Sequence, residues 1–362
     1  MSAPAVWGAQ AGARWRASPA LLLAAALLLA GVLAVQAGAV PVAGRDWWAL
    51  LGPSASAPDA SLDAPAGLSG GAYVLWHIRL PRAVFAMLVG ASMGLAGALT
   101  QGLFRNPLAD PGLLGVSAGA ACAAALTIVL VSGPVLALPQ AGRVWALPVA
   151  AFAGALGVCF TLDRVARWIT PGSISGLLLT GVALNALAAA VIGLCTYLAT
   201  DEQLRSLSFW TLGSLAGAQW GLVLLMGALL LAAVWPLRQI VRSLNALALG
   251  EAAAAHVGVD VQRLRGRVIV LVAVLAGFSV AWCGMIGFIG LIAPHLVRVW
   301  VGGDQRRVLP LSLLMGGLLL LVADTLARTV AIPAEIPVGI FTALLGSPFF
   351  LFLLRGARGR IA

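Results

Sequence analysis

The chain has 362 residues, of which 61% are hydrophobic and only 9% charged, with a net charge of +10. A soluble domain carries about 25% charged residues, so this composition excludes a water-soluble globule and makes the bilayer the solvent. All 22 basic residues are arginine. A phosphate-binding loop of the GxxxxGK[ST] type needs its lysine, so any ATP hydrolysis belongs to a separate subunit.

The arginines stand singly or in small groups between apolar runs, the pattern of membrane topology. No basic stripe with interleaved aromatics points to nucleic acid. Cys122, Cys159, Cys195 and Cys283 fall inside apolar runs without CxxC spacing, which reads as small buried hydrophobes rather than a disulfide framework or metal site. His77, His256 and His295 have no metal-ligand spacing and no catalytic constellation surrounds them.

Residues 1–20 read as a cytoplasmic N-terminal segment. The first apolar run, 21–40, follows Arg14 and Arg16. It resembles a secretory signal, but its length and the spans after it favour a retained helix. Residues 45–71 form a polar external loop, and Trp47 and Trp48 at its start belong to the interfacial aromatic belt. Further spans follow at 83–104, 113–131, 144–162, 174–199 and 217–237. The insert 238–267 reads as a cytoplasmic coupling loop. Spans 308–327 and 337–354 end the ten-helix domain, 21–355, before a cytoplasmic tail, 356–362. Before them, the uncharged run 268–297 is too long for one crossing and short for two. Its segment 284–290, rich in glycine and followed by Pro294, predicts a break and one short returning helix. Residues 106–112, with two prolines, occupy the corresponding place in the first half, so an internal inverted repeat is expected. The fold is thus all-α, a polytopic membrane protein of about ten transmembrane helices.

Ten spans place both termini on one side. That side carries sixteen arginines, against six on the other: Arg45, Arg79, Arg82, Arg143, Arg205 and Arg328. The positive-inside rule therefore makes both termini cytoplasmic.

Several long motifs occur in order. They are Arg79-Leu80-Pro81-Arg82, Gly94-Leu95-Ala96-Gly97, the stretch 101–115 beginning Gln101-Gly102-Leu103-Phe104-Arg105-Asn106-Pro107, the stretch Gly287-Phe288-Ile289-Gly290-Leu291-Ile292-Ala293-Pro294-His295, Glu335-Ile336-Pro337-Val338-Gly339, and Leu345-Gly346-Ser347-Pro348-Phe349-Phe350. Over about residues 70–356 the sequence resembles the FecCD family of ATP-binding-cassette importer permeases. That resemblance implies an inner-membrane subunit that is not itself an enzyme. It implies a second copy of the chain, two cytoplasmic ATP-binding subunits and a periplasmic binding protein as partners. Residues 200–205 with 209–215 look most like heme permeases, and Arg105 stands where cobalamin permeases tend to have an acidic residue. The expected cargo is heme, carried as substrate with no permanently bound cofactor. A ferric siderophore or cobalamin is the alternative. An ion-coupled secondary transporter would need embedded ionisable groups, and the spans offer almost none beyond Asp324.

Site expectations follow. Leu249, Gly250, Glu251, Ala254, His256 and Gly258 delimit an alanine-rich helix that, on its own, is either a coupling element or an ordinary surface helix; the resemblance implies ATPase coupling. Thr180 and Asn185 either face the translocation pathway or hydrogen-bond a neighbouring helix. Arg79, Arg82 and Arg328 defy the positive-inside rule, and the resemblance implies that they receive glutamates of the binding protein. Asp324 is expected to pair with Arg328, one turn away. His295 is read as a structural hydrogen-bonding group in preference to a heme ligand.

Overall fold

A computed structural model describes residues 18–48, 70–131 and 140–361, and side chains within them except at 131, 140–143 and 352–361. Arg14, Arg16, residues 49–69 of the polar loop and the side chains of Arg143, Arg355, Arg358 and Arg360 lie outside the described residues. Every regular element among the described residues is helical.

Helix α1 (Pro19–Gln36) starts at Ser18, whose hydroxyl accepts from the Leu21 amide, with proline in the first turn. A short helix α2 (Gly70–Tyr73) runs through a π-helical turn, Val74–Arg79, into α3 (Leu80–Phe104) without interruption. Span 2 therefore begins about a dozen residues before the expected 83. Arg79 and Arg82 lie within the helix rather than ahead of it. Arg105, in the left-handed conformation, ends α3, and a single 3-10 turn, Pro111–Leu114, leads to α4 (Val116–Leu126). Then come α5 (Gln140–Ile169), α6 (Ile174–Leu198) and α7 (Asp201–Leu212), the last opened by a capping box between Thr200 and Gln203. Helix α8 (Trp220–Ala248), α9 (Glu251–His256) and α10 (Val261–Cys283) leave little of the expected loop 238–267 non-helical. Asp260 caps α10, so the helix starts seven residues before the apolar run at 268.

The predicted break appears at Gly284–Phe288, followed by the short α11 (Ile289–Val301). Helices α12 (Gln305–Thr329) and α13 (Val338–Ile361) complete the chain. Seven helices are long and apolar enough to cross a membrane, and three shorter apolar helices, at 116–130, 289–301 and 338–351, bring the total to the expected ten among the described residues. Three are short rather than one. The turn at 111–114 takes up the start of span 3, and polar residues close the apolar stretch of α13.

The packing has a regularity that the sequence only hinted at. If α3–α6 correspond to α10–α13, then the pairing of α3 with α12 should reappear as α10 with α5, α4 with α5 as α11 with α12, α5 with α6 as α12 with α13, and α3 with α11 as α10 with α4. All eight pairs pack. Helix α3 runs from Arg82 to Arg105, and Arg105 lies beside Gly250 near the N-terminus of α9. Helix α10 runs the other way, from the α9 end toward Gly284, whose neighbour Met285 packs near Gly339. Opposite polarity with matched pairing is the arrangement an inverted repeat requires.

The α3–α12 contact is a close backbone approach through glycines. A Cβ at Gly90 would collide with the Gly316 carbonyl, and one at Gly316 with the Gly90 carbonyl. Lipid tails are as apolar as leucine, so such close backbone packing supplies much of the association in a bilayer. Gly316→Leu should therefore cost about 3 kcal/mol or more. Gly227→Ala on α8, where nothing lies within 4 Å of an added Cβ, should leave stability unchanged or slightly raised. Equilibrium unfolding in mixed micelles checks both.

Candidate functional site

The segment 249–258 is built as a short helix between two sharp backbone turns. Gly250 and Gly258 have φ of +116° and +82°, a region costly for any residue with a Cβ. They let α9 turn out of α8 and back into α10. Leu249 is 81% exposed, and Ala252, Ala253, Ala255, His256 and Val257 are exposed too. Ala254 is fully buried. It anchors the helix to the body and is not available to a partner, which corrects its place among the expected contact residues. Glu251 also turns inward: its Oε1 lies 3.5 Å from Nη2 of the buried Arg265, which donates to the Gly172 carbonyl at 3.1 Å. The outward face is thus a smooth alanine surface flanked by two apolar knobs, Leu249 and Val257.

Beside it, Asn245 on α8 donates to Asp304 Oδ1 at 2.7 Å and accepts from the Gln305 amide at 2.8 Å. This clamp ties the end of α8 to the start of α12. The Arg306 amide, then the Asn245 side chain, hold the Asp304 carboxyl below the usual carboxylate range. This clamp was not legible in the sequence, where its only local signal is an aspartate preceding a helix.

The opposite end holds a cluster of charges. Arg82 donates from Nε to Asp324 Oδ2 at 3.1 Å and from Nη2 to Oδ1 at 2.9 Å, while its Nη1 donates to Glu335 at 2.8 Å. Asp324 is 1% exposed. Its expected partner Arg328 is only a distant one, at 3.8 Å. Arg328 instead donates to the carbonyls of Ala37, at 2.8 Å, and Ala34. Arg79 donates to those of Val35, Gln36 and Val40. Both arginines therefore serve the open C-terminal carbonyls of α1, which a helix cannot satisfy itself. A cation there also meets the negative end of the helix dipole. The resemblance has these three arginines receive glutamates of the binding protein. Here all three guanidinium groups already bond acceptors of the chain itself, Asp324 and Glu335 for Arg82 and backbone carbonyls at the end of α1 for Arg79 and Arg328.

The remaining candidates are less committed. Thr180 bonds back to the Gly176 carbonyl within α6 at 2.8 Å. Asn185 donates a long bond, 3.4 Å, to the Gly112 carbonyl, and its Oδ1 is buried without a partner. Asn185 thus packs α6 against the turn after α3, the neighbour-helix alternative. His295 stacks edge-on against Phe349, and its Nδ1 is buried without a hydrogen-bond partner, so the expected structural bond is not formed. Arg298, one turn on, donates to Gln101, which donates to the Leu291 carbonyl. Among the described residues no cluster of three or more potential metal ligands occurs.

A sequence profile of the FecCD transport family matches residues 22–356, from α1 through most of α13. The chain belongs to the FecCD transport family. It is a transport permease subunit and not an enzyme. It is 42% identical over 347 residues to a hemin transport system permease protein of Yersinia pestis, covering 94% of this chain and 96% of that one. It is 39% identical to a vitamin B12 import system permease protein of Citrobacter koseri, covering 95% of each chain. A solved structure described as an inward-facing conformation of a metal-chelate type ABC transporter superposes with a TM-score of 0.76 at 31% identity, over 93% of this chain and 98% of that one.

The charge cluster of this FecCD permease makes a sharp stability prediction. Arg82→Gln leaves Asp324 buried without its principal cation and should cost about 3–5 kcal/mol. Replacing both, as Arg82→Met with Asp324→Leu, should restore most of that loss. Glu335, whose side chain is 49% exposed, should cost less than about 1 kcal/mol when changed to glutamine. Unfolding of the four proteins in mixed micelles measures all of this.

Proposed function

We propose that the chain is the membrane-spanning subunit of a heme importer, paired with a second copy of itself. Two ATP-binding subunits act on it from the cytoplasm, and a periplasmic binding protein delivers the cargo. The observation that carries the importer reading is the α9 segment. It is a rigidly anchored helix with an uncharged outward face, at the end of the molecule where most of the arginines lie. The positive-inside rule makes that end cytoplasmic, with both termini on the same side. Energy from a separate ATPase has to enter through such a surface, since the chain has no phosphate-binding lysine.

Heme is the preferred cargo because the hemin permease relative matches nearly end to end, and because the stretch about α7 resembles heme permeases. Vitamin B12 permease relatives of similar identity make cobalamin the second reading. Thr180 and Asn185 each donate to a backbone carbonyl, and neither a hydroxyl of threonine nor a carboxamide is among the usual ligands of heme iron. At the periplasmic end, Arg82 alone keeps a docking role. A carboxylate of the binding protein would compete with half-exposed Glu335 for its Nη1, while Arg79 and Arg328 hold α1.

In proteoliposomes containing the permease, its ATP-binding subunit and its binding protein, ATP should drive uptake of hemin in preference to a ferric siderophore or cobalamin. Preferred uptake of either of the others would reassign the cargo, and uptake without ATP would defeat the importer reading. In the same system Glu335→Gln should tighten docking of the binding protein.

The coupling face can be tested separately. Leu249→Asp or Val257→Asp should reduce ATP-driven uptake at least about tenfold, by burying an unpaired charge against the ATPase, with folding unaltered. Ala254→Asp should instead lower thermal stability, because that side chain faces the protein. Normal uptake by both surface variants would remove α9 from the coupling path.

A further inference from the structure

The end of α5 carries a feature that neither coupling nor cargo passage uses. Arg164, Val165, Arg167 and Trp168 line an open cleft. Trp168 is 83% exposed. Arg164 is exposed, and no hydrogen bond or ion pair engages it among the described residues. Arg167 pairs with Asp163 one turn back on the same helix, and its guanidinium lies over Gly266 of α10. Arg267, next along α10, is exposed, and Arg263 is exposed and paired with Asp260. Positive charge therefore outweighs negative where α5 meets α10.

The apolar side of the same face continues into the membrane. Phe160, Arg164 and Trp168 follow each other at four-residue spacing and so share one stripe of α5. Phe160 is 72% exposed. It lies about 12 Å along the helix from Trp168, within one leaflet of a hydrocarbon core about 30 Å thick. Beyond it, Gly157 is open, with nothing within 4 Å of an added Cβ, and Ala153 is exposed. The stripe thus runs inward from the interfacial Trp168, past Arg164 one turn deeper and then Phe160, to a shallow track of small residues.

We propose that this cleft is a binding site for an anionic phospholipid of the arginine-rich leaflet. Arg164 takes the phosphate, with Arg167 adding charge. Trp168 sits at the headgroup level, where indole rings settle, and an acyl chain lies along Phe160 and the small residues beyond. Basic clefts between helices on the cytoplasmic side are suited to such headgroups, and an anionic lipid keeps the net negative charge of its phosphate that the choline of a zwitterionic one cancels. An unpaired arginine on a lipid-facing stripe otherwise has no counter-charge, so charge complementarity selects the occupant.

The test uses delipidated full-length protein in a neutral detergent, titrated with phosphatidylglycerol or phosphatidylcholine and read by native mass spectrometry. Phosphatidylglycerol should bind at least about fivefold more tightly. Arg164→Gln should remove about fivefold of that affinity, and Trp168→Ala should weaken it as well. Arg242→Gln, an exposed arginine of α8 near the same end, should leave it unchanged. Both residues of the cleft are exposed, and an unaltered melting temperature confirms that the variants fold. Equal affinity for the two lipids, or an equal loss in Arg242→Gln, would overturn the proposal. So would complete displacement by millimolar inorganic phosphate, which would mark a site for free anions. Loss of the ATP-binding subunit from Arg164→Gln with lipid affinity intact would also overturn it, by making the cleft a protein contact. None of these outcomes depends on the cargo.

Discussion

A carboxylate with no access to water persists inside a membrane protein only against a cation that it does not have to share with solvent. Asp324 meets that condition through Arg82, and the consequences spread through the outer end of the molecule. Arg82 stands on α3, Asp324 on α12 and Glu335 in the connection to α13, so one guanidinium ties three segments together. The cluster is completed by Arg79 and Arg328, which bond the last carbonyls of α1. Without them those carbonyls, which the helix cannot satisfy itself, would lose their protein partners. The first helix is thus held on the bundle by polar groups at its end. Its long apolar surface mostly faces lipid.

The same pairing of α3 with α12 works differently deeper in the bundle. There the contact is made by glycines, and the two backbones approach so closely that side chains are excluded. Dispersion and close packing replace the hydrophobic effect, which is weak between surfaces that lipid already solvates. The related pair, α5 with α10, uses aromatic contacts instead: Trp145 against Trp282 and Phe152 against Phe278. Corresponding positions in the repeat carry different chemistry. Glycine contacts are not confined to α3–α12: Gly119 of α4 and Gly154 of α5 also bring two backbones together.

At the other end, rigidity is local. The α9 helix is only six residues long and too short to be stable alone. Its position comes from Ala254 in the body, from Glu251 against Arg265, and from Arg265 in turn against the Gly172 carbonyl at the α5–α6 turn. The outward face is thus tied through the side chains of Glu251 and Arg265 to α10 and to that turn.

The number of crossings, the break near residue 284 and the grouping of arginines at the two ends were legible in the sequence, because each follows from local chemistry. Apolar length is set by bilayer thickness, glycine and proline interrupt a helix wherever they stand, and arginine is costly in lipid regardless of the fold. The family was legible from motifs in order. The partners of the charged residues were not. Asp324 and Arg328 lie one turn apart and look like a pair, yet Arg82, 242 positions away, takes the carboxylate because α3 and α12 pack against each other. The inward turn of Glu251 and Ala254 was equally hidden, since a helix of six residues has no periodicity long enough to show which face is buried. Sequence by itself determined which segments enter the membrane. Only the tertiary structure decided which buried charges neutralise each other, because that depends on which helices touch, and in a bilayer close packing chooses those contacts rather than hydrophobicity.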